Sequence, residues 1–156
     1  MIDSPSVTKS EARETAVVRL VVPRADIQKV MGPAIQEVMA TLAAQGVQPA
    51  GPLFSYHVRV DPKVFDFEVG VPVTKPVTPA GRVVASRLPS CTVARTVYHG
   101  GYEGLPAAWG DFMAWIDSRS HAAGSDFWEC YLEGPESGPD ASQWRTELDR
   151  PLVGGV

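Results

Sequence analysis

The strongest constraint on the fold is a pattern that the chain states twice. Thr15-Ala16-Val17-Val18-Arg19 returns as Cys91-Thr92-Val93-Ala94-Arg95, and Pro33-Ala34 returns as Pro106-Ala107. Glu68-Val69-Gly70-Val71-Pro72-Val73 returns as Glu147-Leu148-Asp149-Arg150-Pro151-Leu152 at a nearly constant offset. Strands agree in apolar pattern by chance, but a shared Glu-apolar-x-x-Pro-apolar ending is harder to obtain that way. The repetition predicts an α+β chain of duplicated β-α-β-β units, whose antiparallel sheets face one another around a central ligand groove.

The elements follow from periodicity. Thr15 to Val22 is rich in β-branched residues and stops at Pro23, so it reads as a strand. A helix is expected from Pro33, with Ile35, Val38, Met39 and Leu42 as its apolar stripe and Gly46 as its end. Leu53 to Val60 and Val64 to Val73 alternate in polarity and flank Asp61-Pro62-Lys63, which predicts a hairpin. Thr74 to Gly81 carries Pro76 and Pro79 and reads as an exposed connection. Arg82 to Leu88 and Cys91 to Tyr98 read as strands, and a second helix is expected from Pro106 with Trp109, Phe112, Met113, Trp115 and Ile116 on one stripe. Phe127 to Leu132 and Trp144 to Leu148 complete the strands, separated by a polar loop, Glu133 to Ser142. Residues 1–13 read as a flexible lead and 14–156 as one domain, with repeats at about 14–73 and 82–152.

Charge and composition narrow the function. Lys+Arg 14 against Asp+Glu 18 gives a net charge of -4, which argues against direct nucleic-acid binding. No apolar run spans a bilayer and no signal peptide precedes Thr15, so a cytoplasmic, membrane-free protein is expected. Cys91 and Cys130 are far apart, and His57, His99 and His121 are as dispersed. Neither a metal site nor a disulfide is expected from such spacing, and the histidines read as surface or turn residues. No glycine-rich phosphate loop or nucleophile elbow is present, so no cofactor is implied. Ser55 and Ser90 lack a sequence context that argues for a nucleophile. Glu68 and Glu147 are expected to face solvent.

One position stands out. In Phe127-Trp128-Glu129-Cys130-Tyr131-Leu132, Glu129 is the only charge, and alternation puts it on one face with Phe127 and Tyr131. An unpaired buried carboxylate is costly, so Glu129 either has a partner such as Arg95 or an edge open to water, or it serves a ligand pocket. Phe54, Tyr56 and the tryptophans are read as core or groove lining, and rings gathered round one acid suit a flat or cationic organic molecule better than a phosphate or sugar.

Tyr98-His99-Gly100-Gly101-Tyr102-Glu103, followed by Leu105, Trp109 and Trp115, and then Trp128-Glu129-Cys130-Tyr131 and the Glu147 to Leu152 strand, resembles the GyrI-like small-molecule-binding domain. That family is also called the bacterial transcription activator effector-binding domain, and Phe65 to Val73 agrees with it in the first half. The resemblance covers roughly Thr15 to Leu152. It implies a duplicated fold with a groove for hydrophobic, often cationic or aromatic compounds, a glutamate at the pocket floor that falls on Glu129, and an aromatic wall in the Tyr56 segment. Some members are effector modules of drug-responsive regulators and one group is linked to gyrase inhibition. Some stand-alone members resemble hydrolases that open cyclopropane-bearing genotoxins with a Glu and tyrosines. No helix-turn-helix fits before Thr15, a departure from the regulator pattern.

Three readings follow. In the leading one, a stand-alone module senses or sequesters a hydrophobic organic cation, with Glu129 as charge partner and Tyr56, Tyr131, Trp109, Phe54 and Phe127 as walls. In the second, a xenobiotic hydrolase uses Glu129 as general acid or base with Tyr131 or Tyr98 donating to the leaving group. In the third, the chain is a protein-interaction inhibitor of the gyrase-inhibitor type, and a homodimer or other protein partner stays open.

Overall fold

The computed structural model describes residues 2–134 and 138–153. They form two units, each an antiparallel sheet with one helix: a contiguous unit, Glu11–Ser90, and a split unit made of residues 2–10 and the described residues from Cys91 onward. The strands in chain order are β1 (Ser6–Ser10), β2 (Arg13–Pro23), β3 (Phe54–Val60), β4 (Val64–Pro72), β5 (Val83–Leu88), β6 (Cys91–His99), β7 (Ala122–Ala123), β8 (Phe127–Glu133) and β9 (Arg145–Val153), with helices α1 (Ile27–Gln45) and α2 (Leu105–Ser118). No helix among the described residues is long and apolar enough to cross a membrane.

In the contiguous unit the strand order is β3-β4-β2-β5, with β2 paired on both sides. Ala16, Val18 and Leu20 alternate on one face of β2 and meet Phe67, Val69 and Val71 of β4. Over them lie Ala34, Val38 and Leu42, one turn apart on α1. The helix starts at Ile27 rather than at Pro33, which lies inside it. Ile27, Val30 and Met31 carry the same stripe back to the core, and their packing outweighs the one intrahelical bond that Pro33 cannot donate. Gly46 ends the helix in the left-handed region at φ 66°. The hairpin turn is tied by Asp61, whose Oδ1 accepts the backbone N–H groups of Lys63 (2.8 Å) and Val64 (3.2 Å). A register shift between His57 and Arg59 breaks the alternation that the sequence suggested through Val58.

In the split unit the order is β1-β6-β9-β8, with β7 on the end of β9. Ala108, Phe112 and Ile116 of α2 bury against Ala94, Tyr98, Leu148 and Leu152. Two sequence expectations change here. The lead expected to be flexible contains β1, which pairs with β6 from Ser6 opposite Arg95 to Ser10 opposite Cys91. Its short polar run carries little strand signal, and the pairing is imposed by the edge that β6 offers. The strand expected to open the second repeat, β5, belongs instead to the contiguous unit, paired with β2 from Arg13 opposite Leu88 to Val18 opposite Val83. The loop expected from Glu133 to Ser142 falls partly outside the described residues.

Glu68 and Glu147 are half-buried rather than solvent-facing: Glu68 accepts from Ser86 Oγ at 2.8 Å, and Glu147 pairs with Arg95 at 3.1 Å. His57, expected at a surface or turn, is buried, stacked on Phe67 with ring centroids 5.1 Å apart. Burial, with a smaller push from Arg24, brings its imidazole down to about 4 from an ordinary 6.5. The unfolded chain therefore takes up a proton at His57 that the folded chain refuses. The resulting stability is whole above pH 6.5 and falls as pH drops toward 4, by about 2 kcal/mol between pH 6.5 and 5. Thermal melts at pH 7 and pH 5 should show this loss in the native protein and a much smaller one in His57→Gln. Equal losses in both would remove the assignment.

Candidate functional site

The site is built on one face of β8. Alternation turns Phe127, Glu129 and Tyr131 toward the face that α2 covers, where Leu148 lies opposite Glu129. Only 9% of Glu129 is exposed, yet each carboxylate oxygen has a donor: Trp109 Nε1–H donates to Oε2 at 2.6 Å, and Tyr131 O–H donates to Oε1 at 2.8 Å. Trp109 reaches the acid from the first turns of α2, a position set by the Gly100 to Gly104 turn that starts the helix. Burial pushes the Glu129 carboxyl above its usual range, and the two hydrogen bonds pull the other way.

Aromatic rings surround this acid. Trp109 packs on Phe127 at 4.8 Å between centroids and on Phe112 at 5.6 Å. Tyr102 meets Tyr131 at 5.7 Å and Trp144 at 5.2 Å. The Arg150 guanidinium lies 5.6 Å over the Phe127 ring and donates to Gly124 O at 2.7 Å. Trp109, Phe127, Tyr131, Tyr102 and Trp144 are each half-buried while Glu129 is buried, so the acid lies at the inner end of an aromatic surface. Such a surface offers π-electron density and an anion, a pairing suited to a desolvated organic cation.

The structure brings Glu129, Tyr131, Trp109 and Phe127 together. Tyr98 takes a different role from the one expected of it. Its ring is in the core beneath α2 and its hydroxyl donates to Gly101 O at 2.8 Å, which holds the turn that starts the helix. A Cβ at Gly104 would stand 2.1 Å from that hydroxyl, so the turn requires glycine there. Arg95, considered as a partner for Glu129, instead donates to Asp149 Oδ1 at 2.6 Å on the opposite face. Phe54 and Tyr56 belong to the contiguous unit, where Phe54 is fully buried and Tyr56 is half-buried opposite Glu68. Sequence reading places Tyr102 and Trp144 only in general terms, among the rings of the core or groove lining, and not as named site residues. Their signal is only that each lies just before an element that leads into the site.

Ser55 does have a histidine neighbour: His57 Nε2 lies 3.1 Å from its Oγ. The serine has no exposed surface, so the pair packs the contiguous unit and offers no nucleophile to solvent.

The family model of the GyrI-like small molecule binding domain matches residues 3–152. No curated protein matches the chain. Among solved structures, EcmrR in its complex with DNA superposes with a TM-score of 0.82 at 21% identity, covering 96% of this chain and 57% of that one. This chain therefore spans a little over half of EcmrR. The separate EcmrR C-terminal domain gives a TM-score of 0.83 at 19% identity, with 96% of each chain covered. SAV2435 bound to tetraphenylphosphonium gives 0.65 at 10% identity, covering 97% of this chain and 95% of that one. At these identities the likeness is one of fold.

Proposed function

The chain belongs to the GyrI-like small-molecule-binding domain family, and from that premise we propose that it binds a hydrophobic aromatic cation against Glu129. The observation that carries this reading is the buried carboxylate whose two oxygens are each held by an aromatic side chain, Trp109 and Tyr131. Such an acid is costly to keep charged without a counter-ion, and a cation set against it offsets that cost. The flanking rings of Phe127, Tyr102 and Trp144 add cation–π attraction, about 0.5 to 2 kcal/mol per good contact when water is excluded. Aromatic walls also favour delocalised, weakly hydrated cations over ammonium or metal ions, because the desolvation cost of a large soft cation is smaller. Binding of tetraphenylphosphonium to SAV2435, a protein of the same fold, is in keeping with this class of ligand.

In this reading Trp109 is both wall and reporter, because a ligand that reaches Glu129 must share or displace its indole hydrogen bond. Titration with tetraphenylphosphonium, followed by tryptophan fluorescence and calorimetry, tests the proposal against neutral triphenylphosphine oxide. The expected result is at least about tenfold tighter binding of the cation, a difference of about 1.4 kcal/mol. Equal affinity for the neutral compound would mean that the rings bind and the carboxylate does not.

A further inference from the structure

The opposite face of the same sheet carries a second group of polar side chains. Alternation turns Cys130 away from Glu129, and the ladder sets Cys130 opposite Glu147, with Asp149 two residues further along β9 and Arg95 opposite Asp149 on β6. A Cys130 Sγ atom and one carboxylate oxygen from each of Glu147 and Asp149 lie within 4.8 Å of one another. Cys130 and Asp149 are buried, Asp149 with no exposed surface, and Glu147 is half-buried.

We propose that Cys130, Glu147 and Asp149 form a three-ligand site for a divalent transition-metal ion of the zinc type. The independent observation is Asp149 Oδ2, which is wholly buried and has no hydrogen-bond partner among the described residues. A buried carboxylate oxygen without a donor is a costly vacancy that a cation fills. Arg95 does not compete for it: its Nε donates to Asp149 Oδ1 at 2.6 Å and pairs with Glu147 Oε1 at 3.1 Å, so it engages one oxygen of each acid. That is the part an outer partner plays when it orients ligating carboxylates.

Charge agrees with this assignment. A thiolate and two carboxylates beside one guanidinium sum to minus two, which a dication cancels. The sulfur selects against magnesium and calcium, which take oxygen ligands, and favours zinc or cobalt. Tetrahedral zinc with bonds of roughly 2.0 to 2.3 Å sets its donors roughly 3.3 to 3.8 Å apart, so three groups within 4.8 Å of one another close on the ion by up to roughly 1 to 1.5 Å. A fourth position would remain for water, and half-buried Glu147 gives the route from solvent. Local cysteine and histidine spacing carries no trace of such a site, because its ligands come from two strands that the ladder brings together.

The test is a titration of Co2+, followed by Zn2+, into the intact reduced 156-residue chain. One equivalent of Co2+ should raise a thiolate-to-cobalt charge-transfer band that Zn2+ then abolishes. Cys130→Ser should remove the band and Asp149→Asn should weaken Zn2+ binding by about tenfold or more, whereas Cys91→Ser, which alters the other cysteine, should change neither. Should Asp149→Asn fail to fold by circular dichroism, Glu147→Gln at the half-buried ligand takes its place with the same expectation. Absence of the band in the native chain, its survival in Cys130→Ser, or unchanged Zn2+ affinity in the folded carboxylate variant would overturn the proposal.

Discussion

Replacing Gly70 by alanine is expected to destabilise the contiguous unit severely. A Cβ at this position would stand 1.9 Å from Ala16 O and 2.9 Å from Val17 Cα, both backbone atoms of the neighbouring strand β2. Gly70 is opposite Val17 in the ladder, so nothing flexible is available to yield. Relief requires prising β4 away from β2, which breaks ladder bonds and opens the core between Val18 and Val69. The expected cost is roughly 4 kcal/mol or more, beyond the usual range of single substitutions. For a chain of this size that lowers the melting temperature by roughly 10 °C or more. Gly110→Ala is the control. Its Cβ would meet nothing within 4 Å in the middle of α2, and alanine there should stabilise the helix by about 0.5 to 1 kcal/mol. If the Gly70 variant melted like the native protein, the two strands would not be in the contact described.

Glu129→Gln is expected to weaken binding of tetraphenylphosphonium about 100-fold, or about 2.7 kcal/mol, while leaving triphenylphosphine oxide unaffected. The amide keeps the size of the side chain. Its oxygen can still accept from Trp109 Nε1–H, and the Tyr131 hydroxyl can turn to accept from its NH2 group, so neither hydrogen bond need be orphaned. Stability should hold or rise slightly, since the substitution removes a carboxylate that burial disfavours. The selective loss therefore isolates charge from shape. A parallel loss for both probes would point to a deformed pocket, and no loss for either would leave the rings alone as the binding surface.

Much of this was legible in the chain, for reasons that particular residues make plain. The stripes of α1 and α2 and the alternation in β4, β6 and β8 repeat over enough positions to outweigh local noise. Glu129 was visible because a lone acid among aromatic residues breaks the pattern of its strand, and Tyr131 followed from a spacing of two. The indole donor from Trp109 could not be assigned, since a helix meets a strand at an angle that sequence spacing does not encode. Strand β1 was missed because Ser6-Val7-Thr8-Lys9-Ser10 has almost no apolar alternation.

The repeat itself misled in register. Similar endings match Glu68 with Glu147, but the ladders set Arg19 opposite Glu68 and Arg95 opposite Asp149, two residues further on. Counted along the ladders, Leu20, Phe67 and His57 occupy the row that Thr96, Leu148 and Glu129 occupy in the split unit. The place of the acid is thus taken in the contiguous unit by a histidine that burial keeps neutral, and the two units differ in chemistry where they agree in topology.

The pairing of β1 with β6 also fixes an order of events during synthesis. Ser6–Ser10 leaves the ribosome before Glu11–Ser90, but the strand it pairs with is made only after all of that unit. The contiguous unit can close on itself while Ser6–Ser10 still waits for its partner strand, and the split unit becomes complete only when its two pieces meet over a long sequence separation.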